Sequence, residues 1–132
     1  MTTKKTILVV DDEDDILNFL ELVLQEKGYE VLTANGGQEA LTRAQMAKPD
    51  LVLLDIMMPQ MDGWEVLKLL RVDDDTAKVP VAMLSARTDA QDRVQGLQEG
   101  AVDYIFKPFS LQDLLNKIES ILGQPETSQS TT

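Results

Sequence analysis

Short blocks of unbroken apolar residues alternate along this chain with longer stretches whose apolar positions recur every three or four residues. Ile7-Leu8-Val9-Val10 and Leu51-Val52-Leu53-Leu54 show no polar alternation, the pattern of strands buried on both faces. Tyr29 to Ala34, Pro80 to Leu84 and Val102 to Phe106 read as three further strands. Ile16, Leu17, Phe19, Leu20, Val23 and Leu24 form a helical stripe that Gly28 ends. A turn, Asn35-Gly36-Gly37, leads to a weaker, Ala-containing helix from Glu39 to Ala47, which Pro49 prevents from continuing. The loop Asp55 to Asp62 precedes a helix from Gly63 to Arg71. A fourth helix is expected from Asp89 to Glu99, with Gly100 as its cap. Ser110 is a good N-cap for a last helix whose stripe is Leu111, Leu114, Leu115, Ile118, Ile121 and Leu122, closed by Gly123.

Five strands alternating with five helices imply βαβ units, hence an α/β fold with a parallel sheet covered on both faces. Crossovers in such sheets are right-handed, which leaves few topologies. The doubly wound, flavodoxin-like order 2-1-3-4-5 is the common five-strand solution. A length of 132 residues fits one domain. We place it at residues 6–123, after an N-terminal extension at 1–5 and before a polar tail or linker start at 124–132, expected to be disordered.

Charge narrows the function. There are 12 basic and 23 acidic side chains and a net charge of −11. This argues against direct contact with nucleic acid or an anionic membrane, both of which reward clustered Lys and Arg. It suits a cation site or a basic partner surface. His and Cys are absent from the composition, which excludes disulfides, thiolate nucleophiles, the usual zinc sites and His-based acid–base chemistry. The apolar run behind Lys4 and Lys5 is too short for a signal peptide or a membrane span, so a cytoplasmic location is expected.

Ligands of such sheets sit beyond the carboxyl ends of the strands. Asp11 and Asp12 follow the first strand, Asp55 the third, Ser85 the fourth, and Lys107-Pro108 the fifth. Three carboxylates, a hydroxyl and an ammonium are therefore expected to converge from distant parts of the chain. Each close carboxylate pair costs on the order of a few kcal/mol at an effective dielectric of ~20, so a cation or protonation must relieve it. A hard divalent ion with oxygen ligands fits. An EF-hand reading of Asp11 to Asp15 fails, because Ile16 stands where that loop needs Gly and Leu22 where it needs Glu. Glu13, Asp14 and Asp15 read as acids drawn to a helix N-terminus, and Asp73-Asp74-Asp75 as a solvated loop. The Lys107-Pro108 pair suggests a fixed turn with a cis bond.

Four segments carry a resemblance: Val9-Val10-Asp11-Asp12, Leu54-Asp55-Ile56-Met57-Met58-Pro59-Gln60-Met61-Asp62-Gly63, Leu84-Ser85-Ala86, and Gly100 to Phe109 with Lys107-Pro108. Together they resemble the receiver domain of bacterial two-component response regulators, over about residues 6 to 122. The resemblance implies that Asp55 accepts a phosphoryl group from a phosphohistidine of a sensor histidine kinase or histidine phosphotransfer protein. It implies that Asp11, Asp12, Asp55 and the backbone carbonyl of Met57 hold Mg²⁺, that Lys107 pairs with the acyl phosphate, and that the Ser85 hydroxyl donates to it. Tyr104 would be the switch aromatic. Met57 and Arg87 stand where family members tune dephosphorylation, and a Met side chain, a poor partner for water, predicts a long-lived phosphoryl group.

The fourth helix, fifth strand and fifth helix would form the signalling face, carrying Arg93, Asp103, Asp113 and Lys117. The resemblance admits a homodimer through this face, although Lys117 stands where Arg is common and Lys lacks its bidentate fork. A downstream protein or an effector domain would be the output partner, and the protein would be a signalling switch rather than a turnover enzyme. Three rival readings compete with this one. Loss of one chemical residue would favour a phosphorylation-independent interaction module, but Asp11, Asp12, Asp55, Ser85 and Lys107 are all present. A haloacid-dehalogenase-like phosphatase wants a second Asp where Met57 stands. A flavin carrier needs a phosphate loop where Asp11 and Asp12 would repel phosphate.

Overall fold

The computed structural model describes residues 4–85, 94, 98 and 100–123. Its elements run β1 (Thr6–Val10), α1 (Asp14–Glu26), β2 (Glu30–Ala34), α2 (Gly37–Ala47), β3 (Leu51–Asp55), α3 (Gly63–Val72), β4 (Val81–Ser85), β5 (Asp103–Phe106) and a last helix, α4 (Leu111–Leu122). All five strands are parallel in the order β2-β1-β3-β4-β5, as the pattern predicts. Of the helix expected over Asp89 to Glu99, Val94 and Gln98 have helical backbone, and the rest lies outside the described residues, as do Arg87, Arg93 and the polar tail.

Strand alternation divides the apolar blocks between two cores. Ile7, Val9, Leu51, Leu53, Ala82, Leu84 and Ile105 pack against Leu17, Leu20 and Leu24 of α1 and Leu114 and Ile118 of α4. Leu8, Val10, Val52, Leu54, Val81, Met83 and Tyr104 pack against Ala40 and Ala44 of α2 and Val66, Leu67 and Leu70 of α3. Both faces are covered, so β1 is apolar throughout residues 7–10 and β3 throughout residues 51–54. Each fully buried Leu or Ile among them contributes about 2 kcal/mol.

Two of the described helix starts carry a side-chain cap. Ser110 Oγ accepts from the Asp113 amide at 3.0 Å, as its N-cap role requires. Asp62 does the same for α3, accepting from the Glu65 amide at 3.0 Å. The sequence pattern places Asp62 only at the end of a loop. No described helix is long and apolar enough to cross a membrane.

The register aligns the strand ends. Val10 lies beside Leu54, Asp55 beside Leu84, and Ser85 beside Phe106. Asp11 and Asp55 therefore leave the sheet at one level along its carboxyl edge, and Lys107 follows two residues beyond that level on β5.

Candidate functional site

Asp11 is fully buried at the end of β1. One carboxylate oxygen, Oδ1, accepts from the Glu13 amide at 2.9 Å, and the other, Oδ2, accepts from Lys107 Nζ at 2.8 Å. Asp55 ends β3 and is 3% exposed. Its Oδ1 accepts from the Met57 amide at 3.3 Å and lies 3.5 Å from Lys107 Nζ. Asp12 is exposed at the rim, and carboxylate oxygens of Asp11, Asp12 and Asp55 all lie within 4.8 Å of one another. The Lys107-Pro108 bond is cis.

These groups do not neutralise one another. Three carboxylates face one ammonium among the described residues, an excess of two negative charges that matches a divalent cation. Burial, and then the charge of Asp11, push the Asp55 carboxyl up to about 6, while Lys107 and the Met57 amide pull it back. Burial works against the charged form of Lys107, but the hydrogen bond to Asp11 and the charge of Asp55 outweigh it and hold the ammonium above its ordinary range. Hard oxygen donors at this spacing, with excess negative charge, fit Mg²⁺ or a similar ion.

The loop after Asp55 is closed by its own backbone. Ile56 continues the ladder, donating to Leu84 O at 3.0 Å. Its carbonyl accepts from Met58 N at 3.2 Å and from Gly63 N at 2.9 Å. Met57 thus forms the apex of a tight turn, with an exposed side chain. Nothing in the hydrophobic pattern distinguishes Gly63 from an ordinary first helical residue. Its role shows only once α3 is seated against β3.

The remaining candidate residues fall in two places. Ser85 ends β4 on the same edge, and its side chain lies outside the described atoms. Tyr104 is buried on the face toward α2 and α3, its ring centroid 5.1 Å from that of Phe106. Asp103 and Lys117 pair with each other at 3.2 Å within this one chain, and Asp113 is exposed in the first turn of α4.

A family model described as the response regulator receiver domain matches residues 7–119. The chain belongs to that family. As a receiver domain of two-component systems it is 45% identical over 122 residues to the alkaline phosphatase synthesis transcriptional regulatory protein PhoP of Bacillus subtilis, covering 92% of this chain and 50% of that protein. It is 46% identical over 133 residues to the transcriptional regulatory protein PrrA of Mycobacterium tuberculosis, covering 98% of this chain and 56% of that one. The receiver thus spans about half the length of these curated relatives. Among solved structures, the chemotaxis protein CheY4 of Vibrio cholerae superposes with a TM-score of 0.86 at 34% identity, covering 90% of this chain and 99% of that one.

Proposed function

We propose that this receiver accepts a phosphoryl group on Asp55 from the phosphohistidine of a sensor histidine kinase or histidine phosphotransfer protein. The observation that carries the reading is the meeting of Asp55, Asp11, Asp12 and Lys107 at one sheet edge, with negative charge left over. An Asp55 carboxyl at about 6 is mostly ionised at neutral pH, as a nucleophile must be. A carboxylate oxygen forms the new O–P bond as the N–P bond breaks, and the imidazole leaves with the electron pair and takes up a proton.

Asp11, Asp12, Asp55 and the Met57 backbone carbonyl would hold Mg²⁺, which supplies charge neutralisation of the phosphoryl oxygens when bound. Lys107 turns from Asp11 toward the new phosphoryl oxygens, and the Ser85 hydroxyl donates to another. Both movements bias a two-state element in which Tyr104 changes position behind Ser85, so both forms exist before modification. The exposed thioether of Met57 offers water little, so the acyl phosphate is long-lived, with Arg87 as the second tuning position. Met57→Asn then speeds dephosphorylation.

Output passes through the face carrying Asp103, Asp113 and Lys117, to an effector domain, a downstream protein or a second copy. A pairing between copies through Asp103 requires the Asp103–Lys117 bridge within the chain to open. In this role the protein is a switch, and not a turnover enzyme.

The test is intact mass after incubation with acetyl phosphate and Mg²⁺. The wild type gains one phosphoryl group and Asp55→Ala gains none. No adduct on the wild type would replace this reading with a phosphorylation-independent interaction module.

A further inference from the structure

We infer that Gly63, at the start of α3, is a positioning residue for the metal site, an inference that rests on the reading above. A Cβ at Gly63 would stand 2.5 Å from the backbone oxygen of Asp55, 2.8 Å from Ile56 Cα and 3.1 Å from Asp55 C. All three are main-chain atoms. They belong to a strand end paired with β4, where Asp55 sits beside Leu84 and Ile56 N donates to Leu84 O at 3.0 Å. The strand cannot yield as a flexible side chain would, so the helix must move instead.

Movement of α3 bears directly on the loop that holds Met57. The Gly63 amide and the Met58 amide share one acceptor, Ile56 O, at 2.9 and 3.2 Å. The first bond ties the helix start to the strand end, and the second makes the turn with Met57 at its apex. Lifting α3 off the Asp55–Ile56 peptide breaks the first bond and frees the second. The Met57 carbonyl, the one main-chain donor proposed for the ion, then loses its fixed position relative to the Asp55 carboxylate. Gly63 touches neither ion nor phosphoryl group; it acts through the peptide it packs on.

Calorimetric Mg²⁺ titration of the unphosphorylated full chain tests this, beside urea unfolding of the same samples. Gly63→Ala is expected to bind Mg²⁺ at least about tenfold more weakly than wild type, the usual scale for disturbing the support of a metal ligand. Asp62→Ala removes the neighbouring N-cap, so it lowers stability while keeping Mg²⁺ affinity within about twofold. Wild-type affinity in Gly63→Ala, or an equal loss in Asp62→Ala, would overturn the inference, the second by reducing the effect to general destabilisation. Gln60→Gly covers the case in which Gly63→Ala does not fold. Gln60 has φ 69°, which glycine adopts freely, and closure at Gly63 stays intact. Mg²⁺ affinity within about twofold of wild type supports the inference. A tenfold loss would place the positioning in the Gln60 turn and overturn it. A wild type that takes up no Mg²⁺ removes the underlying reading as well, and is distinguishable because it fails before any variant is made.

Discussion

Two partly buried cations brace opposite edges of this sheet, and they differ in what they face. Arg71, near the end of α3, faces carbonyls: Nη2 donates to Gly100 O at 2.8 Å and Nη1 to Ala77 O at 3.2 Å. Gly100 has φ 107°, and a Cβ there would come within 2.9 Å of Arg71 Nε, so the turn before β5 is closed over the guanidinium. Lys107, at the carboxyl edge, faces Asp11 and Asp55. Burial lowers the Arg71 pKa, whereas its carboxylate neighbours raise that of Lys107. The first cation completes its polar surroundings. The second leaves two negative charges uncompensated among the described residues. A buried cation that satisfies carbonyls is scaffold, and one outnumbered by carboxylates sits where three acids could hold a metal ion.

The contrast can be sharpened first through pH. In metal-free protein the Asp55 carboxyl holds its proton up to about pH 6, but releases it near the ordinary aspartate value of 3.8 once unfolded. Between these values the folded state binds more protons, so stability falls as pH rises, by about 3 kcal/mol when fully developed. Urea midpoints in EDTA should show this loss in the wild type relative to Asp55→Asn, and Mg²⁺ should recover most of it at pH 7. A wild type and variant with parallel pH profiles would remove the excess charge from the account.

Exchanging the cations gives the next largest effect. Arg71→Ala should cost about 2 kcal/mol, because two partly buried carbonyls lose a charged donor. Its Mg²⁺ affinity should stay near wild type. Lys107→Met should do the reverse at the metal, raising Mg²⁺ affinity in calorimetry because the competing ammonium is gone. If Arg71→Ala weakened Mg²⁺ binding as much as it lowered stability, the two edges would be coupled and the distinction between them lost. The smallest expected effect is at Ser110→Ala, about 1 kcal/mol of stability from the lost cap of α4, with phosphorylation by acetyl phosphate unchanged.

Much of the site was legible because local rules and topology agree. Unbroken apolar blocks at residues 7–10 and 51–54 identify strands covered on both faces, and helical stripes between strands require parallel crossovers. Once the order is known, the residues just past each strand must share an edge, which brings Asp11, Asp12, Asp55, Ser85 and Lys107 together without any side-chain geometry. Asp62 was less legible than Ser110, since a capping aspartate inside a polar loop resembles its neighbours. Gly63 closes one of the segments that carry the resemblance, but its close approach to the Asp55 peptide was not legible, because its first-turn position is ordinary for any helix.

The chain's own pattern determined the strand number, the division of apolar positions between two faces, and the set of groups at the carboxyl edge, since periodicity and capping act over a few residues. Tertiary structure alone decided that Lys107 binds Asp11 more closely than Asp55, across 96 residues of sequence. It alone paired Asp103 with Lys117 inside the chain and brought the start of α3 onto the Asp55 peptide. The first turns on a difference of less than an ångström, and all three are set by how a twisted sheet and its helices pack, which no spacing along the chain encodes.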